Sequence, residues 1–272
     1  MVYYARKTND GRKQLLIEHL NKVVELSSKW AELFGLSGLA GTAALYHDAG
    51  KATAEFQNYL FAEEQKEGTV PHSIYGARAA YDDYFSSLPI AEMLANVIAS
   101  HHGSLRDFLS PDGSTPLVSE LTSSSKPPVM ENNRKISPDV LFDELKAVLG
   151  TLPDKTFGIM MLVKLLYSCV VDADRMDAYL FERAEEYVPK QPDWEKMLNE
   201  LNKHLKKLTA GNNKSDKTII ELRNDISRQC AEAGRREIGI YTLEVPTGGG
   251  KTLSGLRFAL EHVSEHNLDR II

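Results

Sequence analysis

Apolar positions along the first two thirds of the chain recur every three to four residues. Leu15, Leu16, Leu20, Val23, Val24, Leu26, Trp30, Leu33 and Phe34 follow this spacing, which predicts one amphipathic helix over 13–34, with Gly35 as its stop. The same period predicts helices over 39–46, 73–85, 90–100, 140–149 and 157–186. No segment before residue 235 alternates apolar and polar positions as a half-buried strand would. The first two thirds is therefore expected to be a helical domain.

Between 103 and 138 the pattern lapses into Ser, Pro, Thr, Gly and Asn. A loop of that length in a compact domain usually carries function or moves, and here it could gate a cleft. Periodicity returns as a lysine-rich amphipathic helix over 194–208, then a polar linker to 217. A helix over 218–233, a strand over 238–245, a glycine-rich turn and a helix over 251–262 are expected next. Strand, loop, helix is the order that opens a nucleotide-binding α/β domain. The expected division is 1–190 as the helical domain, 191–217 as lysine-rich helix and linker, and 218–272 as the start of an α/β domain.

The 272 residues are 42% hydrophobic and 26% charged, close to ordinary soluble domains, and long enough to bury a sizeable core. No apolar run approaches the roughly 18 residues that span a bilayer, and the N-terminus has no secretory apolar core. A protein away from membranes is expected. Two cysteines, Cys169 and Cys230, offer neither a disulfide framework nor metal spacing, which fits a reducing cytoplasm. The net charge of −6 argues against a uniformly basic surface but not against a local groove. Residues 31–100 carry nine acidic against three basic residues, whereas 190–217 carries seven lysines against four acidic residues. Cations bound in an acidic neighbourhood would partly neutralise it, so a polyanionic substrate is not excluded.

Of eight histidines, His19, His47, His72, His101 and His102 fall at or near helical segments of the first 102 residues. Each alone is unremarkable, and the pair at 101 and 102 could merely cap a helix end. Together they are harder to read as separate solvated residues. His47 and Asp48 end an apolar helix, His72 begins one and His101 and His102 end another, beside small residues that permit close backbone approach. Asp172, Asp174 and Asp177 then interrupt a strongly apolar helix. Buried carboxylates are costly unless paired or bound to a cation. Helical geometry lets at most one or two of the three face a common site. Imidazole with carboxylate suits Mn, Fe, Co, Ni or Zn, with Mg less natural.

This constellation resembles the HD metal-dependent phosphohydrolase superfamily. Its local wording narrows the likeness: His47-Asp-Ala-Gly-Lys-Ala52, Phe56-Gln-Asn-Tyr-Leu60, His72-Ser-Ile-Tyr-Gly-Ala77, Ser100-His-His-Gly103 and Val171-Asp-Ala-Asp-Arg175. These are similar to the HD nuclease domain of the CRISPR-associated helicase-nuclease of type I interference systems. The resemblance covers roughly 15–180 and resumes from about 219. It implies a helical HD bundle followed by the beginning of a RecA-like helicase domain. It also implies that His19, His47, Asp48 and Asp172 hold one divalent ion and Asp48, His72, His101 and His102 a second, Asp48 bridging. Asp174 would then be a surface or salt-bridged residue. Two such ions about 3.5–4 Å apart can activate water and stabilise a leaving oxygen. Lys51 would offer a point charge to phosphate, and Arg106 and the lysines of 190–217 would add positive charge for a DNA backbone.

Leu243-Glu-Val-Pro-Thr-Gly-Gly-Gly-Lys-Thr252 resembles motif I of superfamily-2 helicases, with Val245 where the usual phosphate loop has its first glycine. The resemblance implies that Thr247, Gly248, Gly250, Lys251 and Thr252 bind the phosphates and Mg²⁺ of ATP in an intact helicase. Only about 20 residues follow Thr252, too few for a Walker-B strand or a second lobe. ATPase and helicase activity are therefore not expected of these residues. The implied partners are single-stranded DNA and, for a full-length protein, the RNA-guided CRISPR surveillance complex. Two other classes share features of the set: a small-molecule HD phosphohydrolase, such as a nucleotidase or cyclic-nucleotide phosphodiesterase, and a regulatory domain with a degenerate metal site.

Overall fold

The computed structural model describes residues 2–62, 70–107, 110–122, 135–188, 192–210, 217–268 and 271. They divide into two compact units, Met1–Tyr187 and Val188–Ile272, and 69% of the chain is helical against 3% strand.

The first unit opens with an antiparallel hairpin, β1 (Tyr4–Lys7) and β2 (Lys13–Leu15), a strand pair that the sequence pattern gave no sign of. Its strands are too short for a two-residue period to register. Then come α1 (Leu16–Ala31), α2 (Ser37–His47), α3 (Ala54–Phe61), α4 (Ser73–Asp83), α5 (Leu88–Ser100), α6 (Pro116–Leu121), α7 (Pro138–Gly150) and α8 (Lys155–Arg183). The short helix α6 lies inside the segment read as one long loop. Residues 108–109 and 123–134 of that segment fall outside the described residues, so its gating role has no structural account.

Helix α1 buries Leu16, Leu20, Val23, Leu26 and Ala31, the stripe its sequence predicts. Gly35, at φ 73°, turns the chain after the short 3-10 turn that follows. Helix α2 is different: every residue from Leu39 to His47 is buried. It is the central rod, packed against α1, α4, α5, α7 and α8. Its first turn has no side-chain cap of its own. Glu144 of α7 reaches across and accepts from the Gly38 and Leu39 amides, both at 2.8 Å, so a carboxylate sits where the helix dipole favours one.

Helix α8 has 29 residues and is long and apolar enough, by length and composition alone, to cross a membrane. That corrects the expectation drawn from uninterrupted apolar runs, because α8 spreads its apolar residues around charged ones. In this fold α8 packs on α1, α2 and α5. Its buried positions Leu166, Cys169, Val170, Ala173, Asp177 and Leu180 form one stripe toward the bundle.

Two glycines let α4 lie directly on the end of α2. A Cβ on Gly76 would stand 2.0 Å from the Tyr46 carbonyl oxygen, and one on Gly50 would stand 2.2 Å from that of His72. No side chain fits between backbones that close.

The second unit contains α9 (Trp194–Ala210), α10 (Lys217–Gly234) and α11 (Lys251–His266). Helix α9, read from the sequence as leading into a linker, packs on α11, and the Trp194 indole donates to the Leu268 carbonyl at 2.8 Å. The strand expected over 238–245 is not formed. Ile238 and Ile240 are largely exposed, and among the described residues the unit offers no neighbouring strand to complete a ladder. An α/β start is therefore not what this unit displays.

Gly76→Ala is expected to destabilise the first unit by about 3 kcal/mol, since backbone must move to admit the methyl. Urea unfolding followed by circular dichroism measures it, and a loss under about 0.5 kcal/mol, the range of neutral surface substitutions, would contradict the close packing.

Candidate metal centre

Five segments deliver polar groups to one buried point. Helix α1 brings His19 on the same stripe as its core residues. The last turn of α2 brings His47, and Asp48 follows at its C-terminal cap. His72 precedes α4 as its cap, His101 and His102 follow α5, and α8 supplies acidic groups. His19, His47 and Asp48 are completely buried.

Their donor atoms form two sets. His19, His47, Asp48 and Asp174 make the first, and Asp48, His72, His101 and His102 the second; within each set one ligating atom per residue lies within 4.8 Å of all the others. Asp48 is common to both and divides its oxygens between them. Oδ2 lies 3.0 Å from His19 Nε2 and 3.4 Å from His47 Nε2. Oδ1 lies 3.4 Å from His72 Nε2 and 3.5 Å from His101 Nε2.

Several imidazoles are oriented from behind. Nδ1 of His47 meets the Ala44 carbonyl at 2.6 Å, that of His101 meets Ile98 at 2.7 Å and that of His72 meets Val70 at 3.1 Å. A carbonyl only accepts, so each Nδ1 carries a proton and each Nε2 is aimed at the centre, the tautomer that metal-ligating histidines adopt. Asp48 Oδ1 and His101 Nε2 are buried with no hydrogen-bond partner. Such orphaned groups are expensive in a protein interior. Both are lone-pair donors pointing at one place, which is the demand a divalent cation satisfies. The residues present therefore fit a metal, and mixed nitrogen and carboxylate ligation suits Mn, Fe, Co, Ni or Zn.

Helix α8 corrects one expected ligand. Asp172 is exposed, whereas Asp174 Oδ1 stands 3.5 Å from His19 Nε2 and 3.9 Å from His47 Nε2. At about 100° per residue, 172 and 174 fall on opposite flanks of the buried stripe, and the flank of 174 is the one that meets His19 and His47. The apolar stripe of α8 does not make this choice from the sequence, because both positions stand about 100° from its middle. Asp177 is buried and meets His19 Nδ1 at 2.6 Å. Arg6 and Gln14, which no motif singled out, also reach this corner.

Lys51 is buried, not a solvated helix end. Its Nζ lies 2.5 Å from Asp48 Oδ2 and over the Phe56 ring at 5.5 Å. Arg106, expected to serve a DNA backbone, pairs with Glu120 at 2.7 Å.

Residues 16–139 match the family model of the HD domain. This segment is an HD domain. No curated protein matches the chain. The HD domain implies a metal-dependent hydrolase, and the His and Asp sets described above are compatible with divalent metal. Five histidines and Asp48 of the centre lie inside the matched HD segment, whereas Asp174 lies beyond it.

Charges inside the centre are strongly biased. Burial works against ionising Asp48, but Lys51, His47, His101 and His19 outweigh it and hold the carboxyl well below the usual range. Asp174 is likewise held low, burial being overcome by His47. Burial also opposes charge on His47, yet Asp48 and Asp174 prevail and push its pKa up to about 10. Loss of surrounding water pushes His72 and His102 down to about 4.

The second unit holds the glycine-rich turn by itself. Gly248 and Gly250 have φ of 84° and 85°, and the Arg223 guanidinium donates to the Gly248 carbonyl at 2.9 Å. Gly248, Gly250, Lys251 and Thr252 border a cavity of about 1130 Å³ together with Arg223 and Arg257. Thr247 is exposed on the same turn.

These pKa positions set how metal uptake responds to pH. His47 holds its proton at pH 7 and must release it to ligate, so affinity at the first set should rise by up to about tenfold per pH unit between 7 and 9. His72 and His102 are already neutral there, so neither adds a released proton to that response. Calorimetric titration of chelator-treated protein with Mn²⁺, in buffers of different ionisation enthalpy, reads the released proton. No proton release at pH 7 would contradict the raised His47.

Proposed function

We propose that the chain is a metal-dependent nuclease acting on single-stranded DNA, of the kind found in the CRISPR-associated helicase-nuclease of type I interference systems. The observation that carries this reading is the shared Asp48, one oxygen turned to each of two complete donor sets. When bound, divalent ions would supply Lewis acidity and a water of lowered pKa for attack on a phosphodiester. The chain's own residues do the rest. Asp48, fixed as a carboxylate by its cationic neighbours, holds the two sets in register. Asp174 completes the first set in place of Asp172. The carbonyls behind His47, His72 and His101 keep their Nε2 atoms aimed inward. Lys51, held 2.5 Å from Asp48, keeps a positive charge beside the reacting phosphate. His102 is the exposed member of its set, so a substrate arriving from solvent meets that side first.

The substrate rests on the likeness of sequence wording around His47-Asp-Ala-Gly-Lys and Ser100-His-His-Gly, and on the second unit. There a glycine-rich turn with two left-handed glycines leads into α11 and borders a cavity lined by Arg223, Lys251 and Arg257. A motor of the superfamily-2 type would hold ATP and Mg²⁺ at such a turn through Gly248, Gly250, Lys251 and Thr252. It would feed unwound strand to the HD domain. In that setting the protein works in the cytoplasm with the RNA-guided surveillance complex, in antiviral defence.

Circular single-stranded DNA incubated with the chain and Mn²⁺ should be cut, and EDTA should stop the cutting. Asp48→Ala should lower the rate by more than the roughly hundredfold typical of groups that only support ligands. Intact circles alongside rapid hydrolysis of a mononucleotide would sink this reading in favour of a small-molecule phosphohydrolase.

A further inference from the structure

The N-terminal hairpin lies before the matched HD segment and Asp177 after it, yet both meet at the first donor set. Asp177, 5% exposed, is buried on α8 one turn beyond Asp174. Its Oδ2 accepts from His19 Nδ1 at 2.6 Å, and the Gln14 amide donates to both its oxygens, at 2.9 and 3.2 Å. A carboxylate accepting from Nδ1 leaves His19 Nε2 free for the centre, where Asp48 Oδ2 lies at 3.0 Å. Arg6 Nη2 approaches His19 Nδ1 at 3.2 Å, but with the Nδ1 proton given to Asp177 both are donors. The guanidinium instead pairs with Asp174 Oδ1 at 3.3 Å and stands 3.8 Å from Asp177 Oδ2.

The hairpin is itself tied down at both sides. Arg12 donates to the Phe181 and Glu182 carbonyls of α8 at 2.6 and 2.8 Å. The Tyr4 amide donates to the Gln57 side chain at 3.1 Å, and Gln57 in turn donates to the carbonyls of Tyr4, at 3.0 Å, and Lys51, at 2.8 Å. One short strand pair thus spans the backbone that carries Lys51 and the helix that carries Asp174.

We propose that Asp177, with Gln14 and Arg6 of the hairpin, is the positioning device of the first donor set: it fixes the orientation and tautomer of His19 and the place of Asp174, and has no part in the second set. This rests on the reading of both sets as metal ligands.

The test is calorimetric titration of the chelator-treated full chain with Mn²⁺ alone, in wild type, Asp177→Asn, His102→Ala and the double variant. His102→Ala damages the second set only, so what remains reports the first. Asp177→Asn is expected to weaken that remaining binding by about ten- to hundredfold, and to leave unchanged the binding that His102→Ala removes. Gln14→Met, which keeps the carboxylate and takes away its amide donor, is expected to shift the same step by about threefold, and it decides alone if Asp177→Asn fails to fold. Unchanged first-set affinity in a variant that melts like wild type in EDTA overturns the proposal, as does equal weakening of both sets, which a general structural role would produce. If wild type binds no Mn²⁺, the metal reading itself has failed.

Discussion

A carboxylate with no access to solvent governs the first unit. Asp48 sits at the end of a helix whose last nine residues are all buried, where an isolated anion would be prohibitively costly. Lys51 at 2.5 Å and a strongly basic His47 supply positive charge beside it, and His19, His72 and His101 each turn an Nε2 toward its oxygens. The bundle is arranged to deliver those groups. Helix α1 presents His19 on its buried stripe, and α4 can approach α2 only because residues 50 and 76 have no side chain. Conserving that charge while leaving Oδ1 without a hydrogen bond makes little sense for stability alone. It is what a cation site requires.

The electrostatic asymmetry between the two sets follows from their composition. The first has two carboxylates and a histidine that holds a proton strongly; the second shares one carboxylate among three imidazoles, two of which resist protonation. Sets of unlike charge bind cations of unlike hardness and at unlike pH. A single fold can therefore house two sites that differ in how they fill.

Much of this was legible in residues. Apolar spacing gave α1, α4, α5 and α7 to within a few positions, since each packs one face on the core. His47-Asp48, His72 and His101-His102 stood out because they end apolar runs at small residues. The choice of Asp174 over Asp172 was not legible, because the two flank the stripe of α8 about equally and only the packing of that helix on α1 and α2 decides which flank meets the histidines. Arg6 and Gln14 carried no signal, because a three- or four-residue strand has too few positions to show a period and neither side chain is chemically unusual. The strand expected over 238–245 failed for another reason: β-rich composition expresses itself only beside a pairing neighbour.

The centre's chemical boundary does not coincide with its family boundary. A fragment trimmed to residues 16–139 would retain His19, His47, Asp48, His72, His101 and His102, yet lose α8 and the hairpin together. It would keep the second donor set whole and leave the first without its second carboxylate. The ends of this fold, distant in sequence, close one half of the site, so limits drawn from sequence similarity would divide a chemical unit down the middle.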